Sequence, residues 1–310
     1  MNLSEINHKT ILFAALDWGL GHVTRSIGII RELLEQENKI VIACAKEQKL
    51  LFQSYFPDLD YVFLEGYNFK FSGKGNWALD LWKQRKSFFE TIKKEHEFVE
   101  KFCQDKRIDV VISDHRYGFY ANNVESVFVT HQLQLPLSKL YFFIQKWHEK
   151  QMLKFDSLWV LDKEEYPLAG KLSKRIQHPN LTYLGWKSRF IADQCHEIKY
   201  DYLIVVSGPK PYSEQFIDEV KTKIDFLQKR VAVLFPKSVN IFEKNTSWDY
   251  YAATDLKNND ELFFESETII SRTGYSTLMD LKILNKKAIL YPTKGQKEQE
   301  YLAEIWKKNK

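Results

Sequence analysis

The start of the chain constrains the fold more than any other part of it. Ile11–Leu16 is a short, unbroken apolar run that stops abruptly at Asp17, the pattern of a strand buried on both faces. Asp17-Trp18-Gly19-Leu20-Gly21-His22 breaks the run, and Val23–Gln36 then carries helical spacing through Ile27, Ile30 and Leu34. Ile40–Ala45 is a second buried strand. Strand, glycine-bearing turn, helix and strand make a βαβ unit, which requires a parallel sheet covered by helices.

The alternation continues. Tyr61–Leu64, Val110–Ile112, Val127–Val129 and Leu158–Leu161 read as further strands, with a long helical region over Ala78–Phe102. The pattern then restarts with Leu181–Leu184, Tyr202–Val206, a helix over Glu214–Gln228, and Val231–Phe235. Thr268–Ser271, a helix through Leu278–Leu284 and the strand Ala288–Tyr291 complete it. A chain of 310 residues is long enough for two domains. The expected fold class is α/β, with two Rossmann-like, doubly wound parallel-sheet domains facing a cleft. The expected division is 1–180 and 181–310, with the boundary inside Gly170–Gly185.

A net charge of +4 is mild for this length, and no dense basic run with interleaved aromatics is present, so nucleic acid is not an expected partner. Cys44, Cys103 and Cys195 are odd in number and form no CxxC pair, which argues against a disulfide framework or zinc site and for a reducing compartment. The apolar run Ile11–Leu16 is too short for a signal peptide or a membrane span. The expectation is a cytoplasmic protein whose membrane contact, if any, is peripheral on the inner face.

Two strand-to-helix turns in the second half carry the strongest chemical signal. The first is Ser271-Arg272-Thr273-Gly274-Tyr275-Ser276-Thr277-Leu278-Met279-Asp280. Gly274 allows close backbone approach, and the free N–H groups of the helix behind it make an anion site suited to a pyrophosphate. Asp280, two turns along that helix, is placed to accept bonds from ribose hydroxyls. The second turn, Pro292–Gln299, offers Gln296 and Gln299 as amide donors and acceptors for sugar hydroxyls.

This half resembles the donor domain of the MurG-type glycosyltransferases, which have the two-domain GT-B fold; the likeness extends over both halves and is specific at these two motifs. The resemblance implies that Asp280 is the acidic ribose-binding residue and Gln299 one of two adjacent donor-sugar glutamines, with Glu298 standing where the other would be. It places Ser207 and Gly208, in Ser207-Gly208-Pro209, at the glycine-rich diphosphate turn, and makes Arg189 the interdomain arginine near the donor. In the first half, Gly19-Leu20-Gly21-His22 with Arg25 resembles the family's G-x-G-H loop, although Leu20 separates glycines that are often adjacent. His22, at a helix N-terminus where a neutral imidazole is favoured, is the expected base, with Asp114 as the second candidate. Ser113–Gly118 and Thr130-His131-Gln132 follow strands and point to the same cleft; His131 and Gln132 are the acceptor-side candidates.

The stretches Trp77–Phe102 and Leu140–Phe155 mix aromatics with lysines. Leu140, Phe143, Ile144 and Trp147 fall at helical spacing, with Lys139, Lys146, Lys150 and Lys154 around them. Such a helix suits an anionic membrane, though either stretch alone reads first as a core-packed helix with a solvated lysine face. Tyr67–Gly75 reads as a loop over the acceptor.

The resemblance implies an inverting transferase that moves N-acetylglucosamine or a related hexose from a UDP-sugar to a glycan or lipid-linked acceptor hydroxyl. No metal or cofactor is expected, because the helix N-terminus at Gly274–Thr277 supplies the positive charge. Two alternatives stay open: a nucleotide-sugar hydrolase of the same fold, and a non-catalytic partner subunit. A UDP-sugar epimerase is disfavoured, since its acidic pairs are not seen. The chain stops soon after the donor-sugar loop, where family members commonly add a helix crossing back onto the first domain, so the end is read as a possible truncation.

Overall fold

The computed structural model describes residues 1–75, 77–137, 142–191, 196–236, 245, 247–253 and 255–308. Lys139, Leu140 and Cys195 lie outside these. The first half runs β1 (Thr10–Ala15), α1 (Leu20–Glu35), β2 (Lys39–Cys44), α2 (Lys46–Gln53), β3 (Asp60–Phe63), α3 (Trp77–Lys83), α4 (Arg85–Lys106) and β4 (Val110–Asp114). It continues with β5 (Glu125–Thr130), α5 (Phe142–Met152), β6 (Ser157–Val160) and β7 (Leu181–Tyr183). The second half runs β8 (Tyr200–Val205), α6 (Tyr212–Lys221), β9 (Val231–Phe235), β10 (Asp249–Ala252) and α7 (Glu261–Phe264). Then come β11 (Ser266–Arg272), α8 (Tyr275–Leu284), β12 (Lys287–Tyr291) and α9 (Lys297–Lys308).

Two parallel sheets result, in the orders β3-β2-β1-β4-β5-β6-β7 and β10-β9-β8-β11-β12. The central strands are the unbroken apolar runs of the sequence. Ile11, Phe13, Ile112, Val127, Ile269 and Ile270 are all buried, and each fully buried side chain of this size contributes roughly 1.5–3 kcal/mol. Leu181–Tyr183, expected to open the second half, instead closes the first sheet, pairing with β6 at Leu158↔Leu181. The long helix expected over Ala78–Phe102 is two helices. Gln84 between them is non-helical, and its amide bonds the Lys70 N–H (2.9 Å) and C=O (2.8 Å), tying the preceding loop to the break.

The halves share one continuous core that includes Phe13, Leu33, Tyr275 and Leu302. Gly28 of α1 packs so closely on the connecting segment that a Cβ there would lie 2.6 Å from the Ser188 carbonyl oxygen. α9, which carries the donor-loop residues Glu298 and Gln299, packs against the first half. Tyr301 Oη accepts a bond from the Lys171 N–H (2.7 Å), and Ile305 lies against Gly170.

Candidate active site

Each sheet reverses its strand order beside its first strand, between β1 and β4 and again between β8 and β11. Loops diverge at such a reversal and leave a crevice at the strand C-terminal ends. Here the two crevices face one another across a cleft of about 1280 Å³.

The first wall is built from the turn after β1. Gly19, at φ 78° and ψ −172°, takes a backbone conformation that side chains resist and starts α1 at Leu20. His22 therefore falls in the first helical turn, with Arg25 three residues on and facing the same way. Arg25 is buried, and its guanidinium grips Asp114 at the end of β4: Nε is 2.8 Å from Oδ2, and Nη2 contacts Oδ1. The remaining donors reach two imidazoles, with Nη1 2.9 Å from Nδ1 of His131 and Nη2 2.9 Å from Nδ1 of His22. His22 Nδ1 also lies 3.3 Å from Asp114 Oδ1.

Burial first, then Arg25, push the His22 pKa below its ordinary value, with Asp114 opposing. Burial tends to raise the Asp114 carboxyl, but Arg25 and His22 beside it hold it well below the usual carboxylate range. His131 is bonded on its other side as well: Nε2 lies 2.9 Å from Oε1 of Glu298, which belongs to α9. Its ring stacks on Tyr275 at 4.1 Å. A hydrogen-bonded chain thus crosses the cleft from Asp114 and His22 through Arg25 and His131 to Glu298.

The second wall holds the N-termini of α6 and α8. Ser207 and Gly208 follow β8 and lead into α6; Gly274 leads into α8. Ser276 Oγ donates to the Gly21 carbonyl (2.7 Å), so the start of α8 sits against the start of α1. At the head of α6, the Ser213 hydroxyl is buried in the cleft wall without a partner among the described residues.

Among the residues singled out in the sequence, Gly19, Gly21, His22, Arg25, His131, Gln132, Arg189, Ser207, Gly208, Arg272, Gly274, Tyr275, Ser276, Thr277, Asp280, Gln296, Glu298 and Gln299 all line this one cleft. Asp114 does not reach it. It is fully buried behind Arg25, so it touches the cleft only through Arg25 and His22.

Several of these residues are already engaged. Asp280 accepts bonds from Ser188 and from Arg189 Nη1 (2.8 Å), and burial raises its pKa. Arg189 also binds Asp260 (2.6 Å). Arg272 is paired with Glu219 (2.6 Å) and lies over Phe216, which fastens α6 to β11. Gln299 accepts from the Thr293 N–H (2.8 Å) and Gln296 from the Gln299 N–H (3.0 Å), so both amide oxygens cap their own turn. Arg116, next to His115 in the sequence, turns under the sheet to pair with Glu95.

Residues not singled out also face the cleft. His115 has φ +65°, a strained conformation for a side-chain-bearing residue, and its ring lies 5.8 Å from that of His22. Burial, then His22 and Arg25, push its pKa well below the ordinary value. Its position directly after Asp114 at a strand end is the signal that pointed the Ser113–Gly118 segment to the cleft. Trp18 and Trp77 line the cleft too.

No protein-family model matches the chain, and no curated protein matches it. Solved structures do. The spinosyn rhamnosyltransferase SpnG aligns with 95% of this chain and 84% of its own at a TM-score of 0.63 and 11% identity. The glycotransferase of kitacinnamycin aligns at 0.59 and 11%, over 96% and 84%. Phytolacca americana UGT2, solved with UDP-2fluoro-glucose and pterostilbene, aligns at 0.58 and 10%, over 97% and 84%. The chain has the GT-B fold of glycosyltransferases. At these identities the likeness is one of fold.

Proposed function

We propose that this chain transfers a hexosyl group from a UDP-sugar to an acceptor hydroxyl, with inversion at the anomeric carbon. The carrying observation is the juxtaposition of His22, backed by Asp114, with the N-termini of α6 and α8 across one cleft. A neutral imidazole takes the acceptor proton as the hydroxyl attacks the anomeric carbon from the face opposite UDP. Negative charge then builds on the departing diphosphate, where two helix N-termini and the Ser213 hydroxyl meet it. This supply of positive potential supports a transfer that runs without a metal ion, so EDTA leaves turnover unchanged. Structural neighbours support the donor class: SpnG was solved with thymidine diphosphate and UGT2 with a UDP-sugar analogue. N-acetylglucosamine is the donor sugar we favour, on the likeness of Gln299 to a donor-sugar glutamine.

The acceptor is proposed to be lipid-linked, presented at the inner face of a membrane to which the protein docks reversibly. No helix among the described residues is long and apolar enough to cross a bilayer. Around the first half, Trp82, Phe89, Phe142 and Phe143 are exposed, with Arg85 4.1 Å over the Trp82 ring and Lys146 5.4 Å over Phe142. Aromatics interleaved with cations suit an anionic lipid surface.

Thermal shifts with UDP, GDP, ADP and TDP test the donor, and UDP release from UDP-sugars with and without acceptor tests the reaction. UDP at a hundredfold excess over its dissociation constant raises stability by ~2.7 kcal/mol. No preference for UDP refutes the donor assignment. Acceptor-independent release identifies a hydrolase instead.

A further inference from the structure

A guanidinium carries donors only, so an imidazole nitrogen facing it at hydrogen-bond distance is an acceptor. The consequence at His131 is self-consistent. Nδ1 accepts from Arg25 Nη1 (2.9 Å), the ring proton sits on Nε2, and that N–H donates to Glu298 (2.9 Å). At His22 two groups compete for the same Nδ1. Arg25 Nη2 offers a donor at 2.9 Å, and Asp114 offers an acceptor at 3.3 Å. Asp114 is the weaker suitor, because both of its oxygens already accept from Arg25.

We propose that Arg25 is a positioning residue for the transfer: it holds His22 as a neutral imidazole protonated on Nε2. Base function then requires Nδ1 to part from Arg25 and gain a proton from solvent, its N–H donating a hydrogen bond to Asp114, while Nε2 gives its own proton up to solvent and is left bare. The inference rests on the reading of His22 as base, but its first test does not depend on activity. The hold also depends on closure of the cleft. Arg25 is kept in place by His131, and His131 by Glu298, which arrives from the second half on α9.

The charged and titratable groups around His22 are Arg25 on α1, Asp114 on β4, His115 after it, His131 after β5, Tyr275 on α8 and Glu298 on α9. Arg25 is the one that both withholds Asp114 and opposes protonation of His22, and burial and Arg25 together lower the basicity of that ring.

The test is a ¹⁵N-histidine spectrum of the full chain, in which protonated and bare ring nitrogens are resolved and His22 is assigned by its loss in His22→Gln. The expected result for the unliganded wild type is a proton on Nε2 and a bare Nδ1. Arg25→Lys keeps the charge beside Asp114, but a single ammonium does not reach both imidazoles as well. His22 then moves its proton to Nδ1, and the acid limb of kcat/KM shifts upward by roughly one pH unit. A wild-type His22 with its proton on Nδ1 overturns the proposal, and so does an Arg25→Lys chain whose spectrum and acid limb both stay in place. If Arg25→Lys does not fold, the wild-type spectrum decides alone. Failure of the transferase reading looks different: no UDP-sugar is turned over, whatever the tautomer.

Discussion

Gly295→Ala is the substitution that most directly probes how the cleft is closed. The loop before α3 reaches from the first half onto the second: Gly75 N–H donates to Tyr212 Oη (2.9 Å), and Trp77 stacks on the Tyr212 ring at 5.0 Å. Its end rests on the turn before α9, where a Cβ on Gly295 would lie 1.9 Å from the Gly75 carbonyl oxygen. Restoring an ordinary contact would part the two backbones by about 1.5 Å. Gly295 also has φ +78°, and forcing a side chain into that region costs about 1–2 kcal/mol. Gly185 provides the control, with φ +74° and nothing within 4 Å of an added Cβ. Gly185→Ala is expected to lose only the backbone cost, whereas Gly295→Ala adds an overpacking cost of about 1–3 kcal/mol. Urea unfolding, read as midpoints at constant slope, measures the difference. Gly75, Trp77, Gly295 and Gln296 all line the cleft, so nucleotide affinity should fall in Gly295→Ala and not in Gly185→Ala. Equal stability losses and equal affinities in the two variants would refute the seating of this loop.

Three further outcomes are expected. His22→Ala should keep nucleotide affinity and cut turnover by about 10²–10⁴-fold, and near-normal turnover would remove His22 as the base. His148, buried and bonded to Tyr117 Oη (2.7 Å) and the Gln132 carbonyl (2.8 Å), has its pKa pushed down to about 4 by burial. It is neutral in the fold and takes a proton on unfolding below its ordinary value of 6.5, so its contribution is present above that pH and lost as pH falls toward 4. The loss is about 3 kcal/mol, read as a fall in urea midpoint that a His148→Gln chain shows less of, and a flat profile in both would contradict it. Replacing exposed Arg85, Lys146 and Lys150 by Glu should reduce low-salt capture on anionic vesicles by about 1 kcal/mol per site while leaving UDP binding intact; no capture of the wild type would favour a soluble acceptor.

The parallel core was legible because strands buried on both faces are written as unbroken apolar runs, as in Ile11–Ala15 and Val127–Val129. Elements without that signature were not. β10, Asp-Tyr-Tyr-Ala, is a half-exposed edge strand; β7, with three half-buried residues, was read as a strand but not as part of the first sheet. The apolar spacing on α5 was only partly informative: Met152 and Trp147 join the core beside the buried polar His148 and Gln151, whereas Phe142 and Phe143 face outward. Site residues were found as members of a cleft wall, since strand ends and helix starts mark themselves locally. Their partners were not, because Asp114 lies 89 positions from Arg25 and Glu298 lies 167 from His131, and nothing local encodes such pairings. Arg189 and Glu219 likewise engage Asp280 and Arg272 from afar, although both line the cleft.

Glu298 stands where the family resemblance calls for glutamine, and its contacts give a physical reason for a carboxylate there. Arg25 requires His131 to accept on Nδ1, and a neutral imidazole then has an N–H on Nε2 that needs an acceptor, since His131 itself is buried. A glutamine amide can present either its oxygen or its NH₂ group to that nitrogen. An ionised carboxylate can only accept, and burial of Glu298 is outweighed by His131 and Arg25, which keep its pKa below the ordinary value. The arginine after the G-x-G-H turn and the glutamate in the donor loop are therefore two ends of one network. Exchanging Glu298 for Gln removes the charge that fixes the polarity of the chain from Glu298 to His22, and it does so without removing a single heavy atom from the cleft wall.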